Sequence, residues 1–262
     1  MKTVLPSLPA SLWRLGALAS TLMLCAAAVA ATEIRTVAQI GTEPKFLADP
    51  RTGAVRGICI DIMHAIERLD PGLHFSGQQF WMPLIRIYSA MDQGTVDASC
   101  GLSHAVDRDS KYRFIGPALF SIRYYLIARR DDPVAIANWD DVRKLGREGV
   151  VLANRGFGGV TVLRDAGVPL IDANAASPQL NVQKLLARRG RFFFHRNPGL
   201  QAMLDRTGFA DKVRILPTEM ARVPLYFVVG KHVAADVVER LRVALQALEK
   251  SGELESIARS WD

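Results

Sequence analysis

Two β-rich runs, FSIRYYLIA at residues 120–128 and PLYFVV at residues 224–229, constrain the fold more than any other feature of this sequence. Neither shows helical spacing, and strand-like and helix-like segments alternate between them. The same alternation fills the chain ahead of the first run, and a long amphipathic stretch follows the second. Alternating strands and helices predict a parallel α/β sheet. A chain that leaves one such unit, builds another and returns predicts two α/β lobes joined by two crossing strands. A ligand cleft is expected between them, at the carboxyl ends of the strands. The expected first lobe is residues 32–122 plus 228–262, and the second is 123–227, hinge strands included.

Local patterns place the elements. Strands are expected at 36–40, 74–79, 149–153, 191–195 and 213–216, and helices at 61–69, 139–145, 160–166, 181–188 and 198–204. A break is expected at Pro117. At the end of the chain Val237, Leu241, Leu245 and Leu248 recur at helical spacing over 234–250, with a second helix at 253–258.

Residues 1–31 read as a signal peptide: Lys2 and Arg14 supply positive charge, 15–25 is apolar, and Ala28-Val29-Ala30 fits a cleavage site. The apolar run is short for a spanning helix. This predicts export, and a periplasmic location for the mature protein. Removing the leader takes two positive charges and no acidic residue, so the formal charge falls from +7 to +5. The remaining basic residues are scattered, without the basic and aromatic interleaving that tracks nucleic acid, so no nucleic-acid partner is expected. An anionic ligand suits that balance.

Cys59 and Cys100 survive cleavage into an oxidising compartment. A disulfide and a pair of small buried thiols both fit their apolar strand-end contexts, and the sequence leaves the two open. The five histidines are dispersed and neither cysteine has ligand spacing, so no metal is expected. The glycine loop at 156–159 lacks the Lys-Ser/Thr of a phosphate loop and the spacing of a dinucleotide fingerprint, so no cofactor is expected. Catalytic triads are absent, and no catalytic residue is assigned.

The stretch from Trp81 to Pro117 is where chemistry concentrates. Leu84, Ile87, Ala90 and Met91 mark a helix that stops at Gly94. A short strand follows into Gly101-Leu102-Ser103, and Asp107-Arg108 sits on a turn beyond it. A strand end opening around small residues, with an arginine a few positions on, forms an anion-binding corner. A lone arginine there is more often a solvated charge.

The surrounding motifs shift that balance. They are Gly57-x-x-x-Asp61, Gly94-x-Val96-Asp97-Ala98, Gly101-x-Ser103 with Asp107-Arg108, and Phe114-x-x-Pro117. Gly156 with its glycine neighbours, Pro224-x-Tyr226 with Gly230-Lys231, and Leu248-x-x-Ser251-Gly252-x-Leu254-x-x-Ile257-x-x-x-Trp261 follow. In this order and spacing the mature chain resembles family 3 of the bacterial extracellular solute-binding proteins, the periplasmic components associated with polar amino-acid uptake. The resemblance implies the two-lobed type II periplasmic binding protein fold. It also implies a small-molecule ligand, a monomer, and an ABC-type permease as partner.

The resemblance also implies a site. Arg108 would hold a carboxylate, assisted by Gly101 and Ser103, while Ala105 stands where the family usually has a hydroxyl. Phe46 and Trp81 would sandwich the ligand, and Tyr226 is also expected among the ligand-binding residues. In the second lobe Phe157-Gly158 replaces a threonine or serine pair. The family's amine-binding aspartate falls on Arg196, or on His195 if the alignment shifts by one. An arginine repels an ammonium, which leaves Glu43 as a source of an amine contact from the first lobe. The expectation is a non-enzymatic binding protein whose ligand is an anionic or carboxylate-bearing molecule other than a standard amino acid. The alternatives are an enzyme on the same fold, of the cyclohexadienyl dehydratase type with Glu43, His104 or His195 as general acid, and a sensory or accessory binder.

Overall fold

The computed structural model describes residues 31–104 and 106–261, together with Met1. The expected leader lies outside the described residues except at its two ends, and so does Ala105. Strands β1 (Thr32–Arg35) and β2 (Ala38–Gln39) and a hairpin of β3 (Leu47–Ala48) and β4 (Val55–Arg56) lead into α1 (Ile58–Leu69). Strand β5 (Leu73–Ser76) runs parallel to β1, and β6 (Trp81–Met82) runs parallel to β2. Helix α2 (Leu84–Asp92) and β7 (Ala98–Ser103) complete this half. Helix α1 begins three residues earlier than its spacing suggested and buries Ile58, Ile62, Met63 and Ile66.

Strand β8 (Tyr112–Arg129) has 18 residues and spans about 60 Å at strand rise. Beyond it come α3 (Trp139–Lys144), β9 (Val151–Leu152), α4 (Gly159–Asp165), β10 (Ile171–Asp172), α5 (Pro178–Leu186), β11 (Phe192–Asn197), α6 (Leu200–Thr207) and β12 (Val213–Ile215). Strand β13 (Ala221–Gly230) carries the chain back to α7 (Ala235–Lys250) and α8 (Glu253–Arg259). Helix starts follow local chemistry. The Asn138 side chain accepts from Asp141 N–H at α3, and Ser177 accepts from Leu180 N–H ahead of Pro178 at α5.

The largest sheet has the order β10-β9-β11-β8-β13-β7, with β12 also on β8. Strands β10, β9 and β11 are parallel, but β8 is antiparallel to β11 and β13, and β13 is antiparallel to β7. The sheet is therefore mixed, not parallel throughout as the α/β rhythm suggested. Outgoing and returning passes through one hinge necessarily run in opposite directions.

Pro117 does not end a strand. The β8–β13 register jumps from Phe120 opposite Leu225 to Ile115 opposite Phe227. Residues 116–119 of β8 therefore stand against the single residue Tyr226 and form the irregular segment themselves, so the missing proline N–H falls where the β8–β13 ladder is already interrupted.

Four apolar clusters divide into two sets. Ile34, Phe46, Phe75, Phe227 and Leu241 share one cluster, and Ile87, Met91, Tyr112 and Val228 pack beside it. Tyr124, Leu126 and Phe194 lie on one face of the far half of the sheet, with Ile127, Leu185 and Phe193 on the other. Packing changes sides between Phe120 and Ile122 on β8 and between Val223 and Tyr226 on β13.

Several motif residues turn out to join elements. Trp261 Nε1 donates to Asp61 at 2.7 Å, so the last turn of the chain is tied to α1. Asp97 accepts from Arg35 at both N–H and Nε and contacts His232 at 3.0 Å, which binds β1 to the loop after β13. Cys59 and Cys100 are bonded, with a Cα–Cα distance of 5.8 Å, which links the start of α1 to β7.

In the second lobe Asp132, with its side chain 4% exposed, accepts from Arg191 Nε at 3.0 Å and Nη2 at 3.1 Å and from Arg129 Nη2 at 3.3 Å. The Arg191 hydrogen bonds hold its carboxyl below the usual range, although burial opposes them. Asp132→Ala is expected to cost about 3 kcal/mol, because two arginines lose a buried partner. Urea midpoints at pH 7 test this. The wild-type advantage is present above the unfolded aspartate pKa of about 4 and disappears as pH falls through the lower folded value.

Candidate functional site

The site grows from the loop that follows β2. This loop is pinned to α1, because its Pro44 and Lys45 carbonyls accept the first helical N–H groups, Ile58 and Cys59, each at 3.2 Å. Gly57 makes that approach possible. Its φ is +131°, and a Cβ there would lie 2.5 Å from the Pro44 carbonyl oxygen.

The pinned backbone sends the Lys45 side chain inward, where it is only 6% exposed. Its Nζ donates to Gln39 Oε1 at 2.5 Å and to the Gly101 carbonyl at 2.8 Å. Gly101 adopts φ +77°, and a Cβ there would lie 2.5 Å from Lys45 Cδ and 3.3 Å from Cys59 Sγ. The glycine read as an amide-bearing ligand contact therefore also makes room for a lysine. Burial, and then the charge of Arg196, pull the Lys45 ammonium well below its ordinary pKa.

Arg196 comes from the opposite lobe, on β11. Its Nη2 donates to the Gly41 carbonyl at 3.1 Å and the Glu43 carbonyl at 3.0 Å, so one side chain joins the two lobes. Its guanidinium lies over the Phe157 ring at 5.6 Å. Phe157 also packs against Gly41, where a Cβ would sit 3.4 Å from its Cζ. Gly158 caps the start of the seven-residue α4, and a Cβ on the next residue, Gly159, would lie 3.3 Å from Tyr124 Cε1. Tyr124 stacks on Phe194 at 4.8 Å, which supports this corner from below.

Alternation along β11 separates the two residues that the sequence left interchangeable. Arg196 shares a face with Phe194, whereas His195 shares the other with Phe193, its ring 5.1 Å away. Burial, and next the Arg196 charge, push the His195 ring down to about 3, so it is neutral at physiological pH. His195 is thus removed from the contact that Arg196 makes.

Arg108 engages a tyrosine of α2. Its Nη1 donates to Tyr88 Oη at 2.5 Å and its guanidinium lies over the same ring at 4.6 Å. Tyr88 in turn packs on Tyr112 at 5.3 Å. Ser103 is half-buried at the end of β7, and Trp81 is 38% exposed on β6. Tyr226 lies edge-on to Phe114 at 6.3 Å, within the first-lobe packing. Phe46 is 1% exposed among core side chains, so its expected place beside a ligand is corrected to a place in the core.

Glu43 points its carboxylate to Arg206 at 2.7 Å, a second tie between the lobes. His104 pairs with Asp109 at 2.8 Å and lies edge-on to Phe114.

The structure thus brings Glu43, Phe157 and Arg196 together at one lobe contact, with Gly158 beside Phe157 and Gly101 linked through Lys45, while Arg108 packs against Tyr88. Lys45 was missed. In sequence it is a lysine between proline and phenylalanine in a loop, which reads as surface charge. Tyr88 was missed as well, because its helical position is occupied equally well by any half-buried residue.

Two concave regions of about 490 Å³ each lie away from the contact. One is beside Arg147 and Arg189 in the second lobe, and the other lies along the crossing strands near Arg123 and Arg259. Among the described residues no cluster of His, Cys, Asp and Glu could hold a metal ion.

Comparison with known proteins agrees with this architecture. Residues 36–262 match the model of a family described as bacterial extracellular solute-binding proteins, family 3. No curated protein matches the sequence. Among solved structures, the probable amino-acid ABC transporter extracellular-binding protein ytmK from Bacillus subtilis superposes with a TM-score of 0.73 at 15% identity, covering 88% of this chain and 97% of that one. A histidine kinase sensor domain with similarity to periplasmic binding proteins gives 0.69 at 21% identity, covering 88% and 96%. The ancestral amino-acid-binding protein AncCDT-1, a precursor of cyclohexadienyl dehydratase, gives 0.65 at 17%, covering 87% and 95%. At these identities the likeness is one of fold.

Proposed function

Because the chain belongs to family 3 of the bacterial extracellular solute-binding proteins, we propose that it captures a small anionic solute by closing its two lobes and delivers it to an ABC-type permease. The ligand in this reading bears a carboxylate or similar group and is not a standard zwitterionic amino acid. The observation that carries it is Arg196, a second-lobe cation donating to first-lobe carbonyls at the lobe contact. An α-ammonium brought there meets a like charge. An anion brought there gains a half-buried counter-ion, with an attraction stronger than at an open surface.

Lobe closure is the natural motion for two units joined by β8 and β13. The Cys59–Cys100 disulfide supports an oxidising, extracytoplasmic location. Recognition suits the site better than turnover, since each candidate acid is already engaged or uncharged: Glu43 by Arg206, His104 by Asp109, and His195 as a half-buried neutral ring.

The test is to purify the protein from native periplasm, identify the molecule it carries by mass spectrometry, and titrate the stripped protein with the twenty amino acids by calorimetry. An organic acid or other anion is expected in the first experiment and no tight binding in the second. Micromolar, Arg108-dependent binding of an ordinary amino acid would sink the reading.

A further inference from the structure

We propose that Lys45 is the first-lobe half of an anion clamp whose second-lobe half is Arg196, so that the ligand's anionic group is recognised between these two side chains and not by Arg108. The inference rests on the reading of the cleft as a site for an anionic solute, and it names the residues and the ligand chemistry of that site.

Lys45 is 6% exposed, and its two acceptors are an amide oxygen and a backbone carbonyl. Arg196 has two carbonyl acceptors, at Gly41 and Glu43, in the same loop that holds Lys45. The four acceptors are neutral. The nearest carboxylate on that loop, Glu43, is turned to Arg206.

Lys45 is buried with only neutral acceptors, and the half-buried Arg196 beside it feels the Glu43 carboxylate but is not hydrogen-bonded to it. A buried ammonium without a carboxylate partner is costly, and an incoming anion would supply the missing charge. An ammonium has three donors, and two of the Lys45 donors are occupied. The third is available to an oxygen of the ligand. The Arg196 guanidinium adds donors from the other side, so a small carboxylate meets both lobes at once, which is the condition for stabilising closure. Arg108 is already stacked on Tyr88 and donates to its hydroxyl. The ligand class is a small carboxylate with no ammonium beside the bound group, because an ammonium would lie against two cations.

Thermal-shift titration with sodium acetate and sodium succinate, at ionic strength matched with sodium chloride, provides the test. Both salts are expected to raise the wild-type Tm by several degrees, and Lys45→Met and Arg196→Gln are expected to abolish the shift while Arg108→Gln keeps it. Lys45→Gln retains a donor for the Gly101 carbonyl without the charge, so loss of the shift in that variant separates lost charge from lost packing. A full shift in Lys45→Gln overturns the clamp. So does a shift lost in Arg108→Gln and kept in Lys45→Gln, although the anionic-solute reading then stands. No shift with either salt overturns the clamp, and tight binding of an ordinary amino acid in the same series removes the underlying reading as well.

Discussion

Cys59→Ala combined with Cys100→Ala is expected to lower the unfolding free energy by about 4 kcal/mol and Tm by roughly 10 °C, and a reductant should do the same to the wild type. The bond joins positions 41 residues apart, so cutting it restores a large loop's freedom to the unfolded chain. Both cysteines are fully buried, which adds a packing loss in the alanine variant. Calorimetric scans with and without reductant, for both proteins, measure the effect. A wild-type scan unmoved by reductant that demonstrably opens the bond would refute it. The bond also bears on the site, since it holds the start of α1 against β7 beside Gly101, whose carbonyl anchors Lys45. Acetate binding is therefore expected to weaken on reduction.

Arg196→Glu is expected to abolish ligand capture, with a loss of affinity of about 1000-fold. Placing an anion where the solute's anion must sit costs several kcal/mol. The new carboxylate would also serve as counter-ion to Lys45 and occupy the clamp from within. Two inter-lobe hydrogen bonds go with the arginine, those to Gly41 and Glu43. Arg206→Gln is the comparison for a lost lobe tie: it breaks the Glu43 pair while leaving both Lys45 and Arg196 in place. It should shift affinity by less than about tenfold, as expected for an exposed pair. Quantifying the molecule that co-purifies with each variant decides the matter. Arg196→Glu carrying as much of it as the wild type would eliminate Arg196 as a ligand contact.

Much of the fold was legible because it rests on short-range signals. The apolar stripe of α7, the Gly57 entry to α1 and the two β-rich crossing runs are local patterns, and each became the expected element. Where local signals misled, a distant partner was responsible. Pro117 looked like a break because a strand interior needs its N–H, yet it falls in the irregular segment of β8 where the ladder with β13 is interrupted, so that N–H is dispensable. Phe46 looked like a ligand platform by loop position, but the core of the first lobe closed over it.

By itself the sequence determined the two-lobed α/β architecture and the cationic character of the second-lobe position at Arg196, since both follow from residue type and spacing. Only the tertiary structure decided which charges meet. Arg196 rather than His195 reaches the other lobe because strand alternation turns neighbouring side chains to opposite faces. Lys45 became a buried partner rather than a surface charge because helix α1 pins its backbone and a glycine on β7 leaves room for its stem. A lysine's burial depends on which atoms from elsewhere in the chain surround it, and those positions exist only once the chain has folded.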